Sequence, residues 1–273
     1  MSQPIDLGRT CLCLKVADVD DTAAFYEKLG FRSTGEDAPK QRRSLIQGAT
    51  ILTFRNFLPR SLINYRGASI HALVTELKAR GLAILGHNTG PELQLMLDDD
   101  GNPLPDNECG FFTVFDPDGN EIFFNTHPPE REPYEDGRWV PQENLAADIQ
   151  NTATGEGVLG RFLYRLDVRD LEACIAFYEN LGLSVLGSTA DSATMGSRHP
   201  HMEQDPTSFP ISLRRAKESG SALLFCCEDP DAVADSIRTH GLQVVPSQDG
   251  LVVTDPDQRS LLLVAADRNP ILT

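Results

Sequence analysis

Residues 115–125 read FDPDGNEIFFN, and residues 254–264 read TDPDQRSLLLV. Each stretch passes from an aspartate through a proline of fixed φ to a second aspartate, a composition that turns a chain, and the glycine of the first is free to take φ > 0. Each then enters an apolar run short enough to be one strand. The two stretches predict hairpins into closing strands, and so a chain that repeats itself.

The repeat extends upstream. TCLCLKVAD (10–18) has a strand pattern, and DDTAAFYEKLGF (20–31), with Ala23, Tyr26 and Glu27 at helical spacing and Gly30 as its stop, suits a short amphipathic helix. RFLYRLDVRD (161–170) runs into LEACIAFYENLGL (171–183) in the same way. Asp18, Ala24, Phe25, Tyr26, Glu27, Leu29 and Gly30 recur as Asp170, Ala176, Phe177, Tyr178, Glu179, Leu181 and Gly182, every pair 152 residues apart. Identity at constant spacing marks duplicated supersecondary units.

Midway through each copy, ALVTELKARGLAIL (72–85) and AVADSIRTHGLQVV (232–245) again read as helix, glycine stop and strand. The intervening strands are FRSTGE, RRSLIQ and TILTFRNF in the first copy, and LSVLGS and FPISLRR around an unassigned stretch in the second. The units restart near SLINYR and SALLFCCE. Residues 128–157 are polar and rich in Pro, Gly and Glu, as a connection would be, with Trp139 as its anchor. The expected organisation is a first domain over 1–127, a linker over 128–157 and a second domain over 158–273.

The length of 273 residues suits two domains of about 130 residues, each large enough to bury a core. Against 24 Lys+Arg stand 40 Asp+Glu, a formal net charge of -16 that disfavours nucleic acid and anionic membranes as partners. No stretch approaches the roughly 20 apolar residues of a membrane span, and MSQPIDLGRTC lacks a basic start before an apolar signal core. A soluble, cytoplasmic protein is expected. Six cysteines, mostly within apolar runs and without a CxxC pair, read as reduced thiols and argue against a structural zinc site.

Strand, aspartate-opened helix with AFYExLG, three strands, then DPDGN and a closing strand resembles the vicinal oxygen chelate superfamily, which includes glyoxalases, extradiol dioxygenases and bleomycin-resistance proteins. The resemblance covers nearly the whole chain. It implies an α+β fold of tandem βαβββ units, two per domain, whose curved sheets enclose cavities. It also implies, in the metal-dependent members, a divalent cation held by His, Gln or Glu from the first strand of each unit and the closing strand. The corresponding positions here are Cys11, Leu62 and Phe123 in the first copy and Leu163, Ala222 and Leu262 in the second. A slip of one residue in either direction brings in no imidazole or carboxylate. Neither cavity is expected to hold the family metal, and no cofactor is expected.

Residues two apart on a strand share a face. With Leu12, Leu14 and Val16 under the helix, Cys11, Cys13 and Lys15 face the first cavity, joined by Leu62, Asn64, Arg66, Glu121, Phe123 and Asn125. The second cavity takes Leu163, Arg165, Asp167, Ala222, Leu224, Cys226, Ser260, Leu262 and Val264, with Arg165 and Asp167 its one charged pair. Cys11 and Cys13 read more simply as small buried hydrophobes than as reactive thiols, because the sequence offers only Lys15 as a basic neighbour. Arg165 and Asp167 read more simply as a structural ion pair than as a ligand clamp. Lys15 and Glu121 suit the rim. The cluster His199, His201 and Glu203 reads as surface loop without a third converging ligand, and Asp98 to Asn102 as a charged hairpin tip.

These readings favour a metal-free protein that encloses a small organic molecule, similar to the bleomycin-resistance branch, over a metal-dependent lyase, isomerase or dioxygenase with non-standard ligands. A scaffold with collapsed cavities is a third possibility. The acidic surface would draw a cationic ligand by long-range attraction. A fused four-unit chain supplies both halves of the family assembly, compatible with a monomer or a homodimer.

Overall fold

The structure, a computed structural model, describes residues 4–34, 41–85, 110–126, 157–205 and 208–266. The first copy forms β1 (Arg9–Lys15), α1 (Val19–Lys28), β2 (Arg32–Ser33), β3 (Arg42–Gln47), β4 (Thr50–Arg55), β5 (Leu62–Arg66), α2 (Ile70–Ala79), β6 (Gly110–Phe115) and β7 (Glu121–Thr126). The second forms β8 (Arg161–Val168), α3 (Leu171–Leu181), β9 (Ser184–Ser188), β10 (Ser192–Gly196), α4 (Pro200–Gln204) and β11 (Ile211–Arg215). It continues through β12 (Gly220–Cys227), α5 (Pro230–Thr239), β13 (Val245–Ser247), β14 (Gly250–Thr254) and β15 (Ser260–Ala265).

Two mixed sheets result, ordered β2-β3-β4-β1-β5-β7-β6 and β13-β14-β15-β12-β8-β11-β10-β9. In each unit the first and last strands pair in parallel, β1 with β4, β5 with β7, β8 with β11 and β12 with β15. Parallel partners need a crossover, which the helix provides. The first strands of the two units in a sheet pair antiparallel, β1 with β5 and β8 with β12. This is the α+β plan of tandem βαβββ units. Trp139, Asp98 to Asn102 and most of the 128–157 connection lie outside the described residues.

Local signals explain the helices. Asp18 accepts hydrogen bonds from the Asp20 and Asp21 N–H groups at 2.8 and 3.0 Å, and Asp170 from Ala173 N–H at 2.9 Å, so the repeated aspartate is the N-cap of α1 and of α3. The 199–203 stretch, expected as irregular loop, instead forms α4: Pro200 suits a first helical position, and buried Met202 ties the turn to the core.

One face of each sheet joins a single buried cluster that runs through both copies. Leu12, Leu14, Phe54, Phe112 and Phe124 meet Phe162, Leu166, Leu213, Phe225 and Leu261 there, with Tyr26 of α1 and Tyr178 of α3 among them. Phe31 and Phe225, from different copies, have ring centroids 6.5 Å apart in an edge-to-face arrangement.

The paired DPD turns close this interface reciprocally. Asp116 Oδ1 accepts from the Asp118 and Asn120 N–H groups, while Oδ2 accepts the Tyr178 hydroxyl of the other copy at 3.2 Å. Asp255 Oδ1 accepts from the Asp257 and Arg259 N–H groups, and Oδ2 accepts the Tyr26 hydroxyl at 3.1 Å. The second aspartate of each turn reaches the chain just before the other copy's helix: Asp118 accepts from Arg169 N–H at 3.0 Å and Asp257 from Ala17 N–H at 2.7 Å. The repeated Tyr and Asp of the sequence are thus two halves of one clasp, made twice.

Gly8 and Gly160 stand at equivalent places before β1 and β8, with φ of +82° and +85°. A Cβ would lie 2.1 Å from Arg66 O at the first and 2.1 Å from Cys226 O at the second. Gly160→Ala is therefore expected to lower stability by more than the roughly 1–2 kcal/mol of the left-handed backbone alone, as measured by urea unfolding. Gly241→Ala, at φ +77° with no atom near its Cβ, should show only the backbone part.

Candidate functional site

With Leu12, Leu14, Leu52, Phe54, Ile63, Tyr65, Ile122 and Phe124 turned to the common core, the alternate residues form the opposite face of the first sheet, a cup. Cys11 stands opposite Asn64 on β5, and Asn64 beside Phe123 on β7. Leu62 lies one pair further on, between Cys13 and Glu121. In the second sheet the equivalent row is Leu163, Leu224 and Leu262, with Ala222 level with Arg165 and Ser260. Strand pairing thus places Asn64 and Leu224, two residues beyond Leu62 and Ala222, level with the other row members.

A divalent cation is held by three or more converging protein donors, imidazole nitrogen, carboxylate or carbonyl oxygen, or thiolate, within about 2.0–2.6 Å. The first row offers a thiol, a carboxamide and a phenyl ring, and the second three isobutyl groups, so neither donor set fits such an ion. Among the described residues, no group of three or more His, Cys, Asp or Glu side chains lies close enough to hold a metal.

The two cups differ in what fills them. In the second, Leu163, Ala222, Leu224, Cys226 and Leu262 form their own buried cluster, with Val252 and Val264 packed against it. Beside it lies a network of four charges. Arg214 holds Asp167 through two bonds, Nε–Oδ1 at 2.8 Å and Nη2–Oδ2 at 2.9 Å. Arg165 Nε is 3.4 Å from Asp167, and Arg165 Nη1 donates to Asp249 at 3.0 Å. Arg214 Nη1 also donates to Asp249. The expected pair of Arg165 and Asp167 is therefore half of a balanced quartet. Arg214 was findable by alternation along ISLRR; Asp249, in the turn between β13 and β14, was not.

The corresponding face of the first sheet carries more polar side chains. Asn64 Nδ2 donates to Phe123 O at 3.0 Å and to Asn125 Oδ1 at 2.7 Å, which fixes the amide between β5 and β7. Phe123 packs against Phe111 with ring centroids 5.8 Å apart. Cys11 Sγ is 3.4 Å from Thr53 Oγ1, and Ser44 Oγ is 3.0 Å from the same hydroxyl. A hydrogen bond from Cys13 draws the Cys11 thiol down to about 5; burial opposes the shift, and Thr53, Arg9 and Arg66 add to it. Cys13, the donor of that pair and fully buried, is pushed up correspondingly. The basic groups that act on Cys11 are Arg9 and Arg66, with a smaller effect than Cys13; Lys15 is exposed and donates to Pro59 O at 3.1 Å. Glu121 also sits toward the rim, accepting from Thr113 Oγ1 at 3.3 Å with Arg60 3.8 Å away.

Arg9, Arg42 and Arg55 were missed in the sequence reading, although the alternation in RTCLCLK, RRSLIQ and TILTFR puts each on the Cys11 face. Arg9 pairs with Arg66 across β1 and β5, and Arg42 with Arg55 across β3 and β4.

This arrangement, two sheets of paired βαβββ units each presenting a cup, is the fold of the vicinal oxygen chelate superfamily, and the chain has that fold with two domains. No family profile matches the chain, and no curated protein matches it in sequence. Among solved structures it is similar to a catechol 2,3-dioxygenase (13% identity, 96% of this chain and 87% of the other, TM-score 0.54). It is also similar to the Mn(II)-bound glyoxalase from Novosphingobium aromaticivorans (11% identity, 93% and 79%, TM-score 0.54). A third is the homoprotocatechuate 2,3-dioxygenase from Arthrobacter globiformis (17% identity, 94% and 79%, TM-score 0.52). No helix among the described residues is long and apolar enough to cross a membrane.

Proposed function

We propose that this chain is a glyoxalase- and bleomycin-resistance-like binding protein that works without the divalent cation of its metal-dependent fold relatives and holds a small organic molecule in its first cup. The observation that carries this reading is the row Cys11, Asn64 and Phe123, where strand pairing brings together three side chains that cannot satisfy a hard ion. The same cup combines an apolar wall, Phe111 and Phe123, with a few convergent polar groups, the composition of a small-molecule pocket. The second cup supports the scaffold reading for itself, since its row is occupied by mutually packed leucines and its charges satisfy one another.

The competing reading is a metal-dependent lyase, isomerase or dioxygenase with non-standard ligands. Dialysis of the purified chain against Mn²⁺, Fe²⁺ or Zn²⁺, followed by metal analysis after desalting, separates the two. Far less than one ion per chain is expected; one tightly held ion per cup would refute the proposal.

A further inference from the structure

Cys11 and Cys13 are the one pair of cysteines among the described residues that shares a strand face. Thr53 on β4 is the register partner of Cys13, yet it is the Cys11 sulfur that lies 3.4 Å from the Thr53 hydroxyl. The Cys11 side chain therefore leans along β1 toward its neighbour, and a hydrogen bond joins the two thiols. Cys226 and Cys227 are adjacent on β12 and point to opposite faces, one in the cluster of the second cup and one in the common core. Cys174 stands apart on α3.

The spacing decides what two such sulfurs can do. Strand rise puts the Cβ atoms of residues i and i+2 about 6.6 Å apart, whereas a disulfide needs them within about 3.5–4.5 Å. β1 cannot shorten to close that gap, because it is paired with β4 on one side and β5 on the other. The pair is thus held as two thiols. A single ion between the sulfurs relaxes the requirement: two metal–sulfur bonds of about 2.3 Å replace one S–S bond of about 2.0 Å, which adds the length needed to span the strand spacing. Cys11 is partly exposed on the cup face and Cys13 is buried. An ion reaches the pair from the Cys11 side and is held largely out of water.

We propose that Cys11 and Cys13 form a two-sulfur site for a single soft monovalent cation of the copper(I) class, which takes the place of the proton between the two sulfurs. Soft thiolate ligands select copper(I), whereas a divalent ion takes three or more protein donors and this pair offers two. The charge balances. A thiolate beside a thiol carries one negative charge, a copper(I) bis-thiolate carries one as well, and the displaced proton leaves to solvent. The Cys11 thiol is already drawn down to about 5 by the hydrogen bond from Cys13, with Arg9 and Arg66 adding to the shift. At Cys13, pushed up because it supplies that hydrogen bond, Arg55 and Arg66 oppose the rise. The inference goes beyond the binding reading, since it concerns β1 alone and holds whether or not an organic molecule occupies the cup.

The test is anaerobic titration of the reduced, purified chain with copper(I) in competition with bicinchoninate, with Zn²⁺ and Mn²⁺ run alongside. About one copper(I) per chain should withstand the competitor, and neither divalent ion should be retained after desalting. Cys11→Ser and Cys13→Ser should each weaken copper binding about tenfold or more, with near-native circular dichroism. Cys227→Ser, in the common core, should leave it unchanged. The native chain supplies a readout that needs no variant: bound copper should slow alkylation of Cys11 by iodoacetamide about tenfold or more, read by peptide mass spectrometry. Loss of copper to the competitor at every ratio overturns the inference, as does copper held equally by both serine variants or Cys11 alkylated at the same rate with and without copper. Those outcomes leave standing a binding protein that works without a divalent cation. Stoichiometric retention of Zn²⁺ or Mn²⁺ in preference to copper(I) overturns both readings.

Discussion

Asp255→Ala is expected to cost about 3–5 kcal/mol of folding stability, read as a fall in the urea midpoint with little change in slope. The carboxylate is almost fully buried and accepts four hydrogen bonds: from the Asp257 and Arg259 N–H groups at 2.9 Å each, from Arg259 Nη1 at 2.6 Å and from the Tyr26 hydroxyl at 3.1 Å. Burial pushes this carboxyl up, and Arg259 pulls it back toward its charged form. Truncation leaves Arg259 Nη1 and the phenol of Tyr26 without their acceptor, the guanidinium keeping only its Nη2 contacts to Asp257 and Lys15 O, and orphaned buried donors cost more than the net worth of the bonds they made. Tyr26→Phe removes the donor and its need together, and should cost only about 0.5–1.5 kcal/mol. A loss for Asp255→Ala as small as that of Tyr26→Phe would show that the turn does not clasp the two copies.

Leu163→Ala is expected to destabilise by about 2–5 kcal/mol, whereas Phe123→Ala, at the equivalent height of the other cup and larger by volume, should cost clearly less. Leu163 is 1% exposed, within the cluster that fills the second cup. Phe123 is half-buried and packs against Phe111. A cavity opened in a close-packed cluster is penalised by lost contacts on every side, but a truncation beside an open hollow is not. Equal losses, measured by the same unfolding experiment, would mean that both cups are filled and that neither is a binding site.

Much of this architecture was legible because it rests on local rules. The aspartate caps at Asp18 and Asp170, the period-two alternation of TCLCLKV and RFLYRLDV, and the glycine stops each act within a few residues, so spacing alone predicts the units and their number. The stretch 199–205 escaped because a single buried methionine, Met202, orders it against the core, a contact set by distant residues. At the candidate site, the residue types facing the first cup could be read from alternation, but which of them stand level could not. That depends on the pairing of β1 with β5 and of β5 with β7, which places Asn64 in the row instead of Leu62.

The sequence by itself determined the repeat, the strand and helix types, and the absence of imidazole and carboxylate at Cys11, Leu62, Phe123, Leu163, Ala222 and Leu262, since these follow from residue identity and short-range geometry. Only the tertiary structure decided that Tyr26 and Tyr178 exchange hydrogen bonds with the opposite copy's turn. It alone decided that Asp249 joins Arg165, Asp167 and Arg214 beside the second cup, and that Arg9 stands opposite Arg66 and Arg42 opposite Arg55 in the first sheet. Charge balance and partner choice arise between residues far apart in the chain, where the energy of a contact depends on which strands lie side by side.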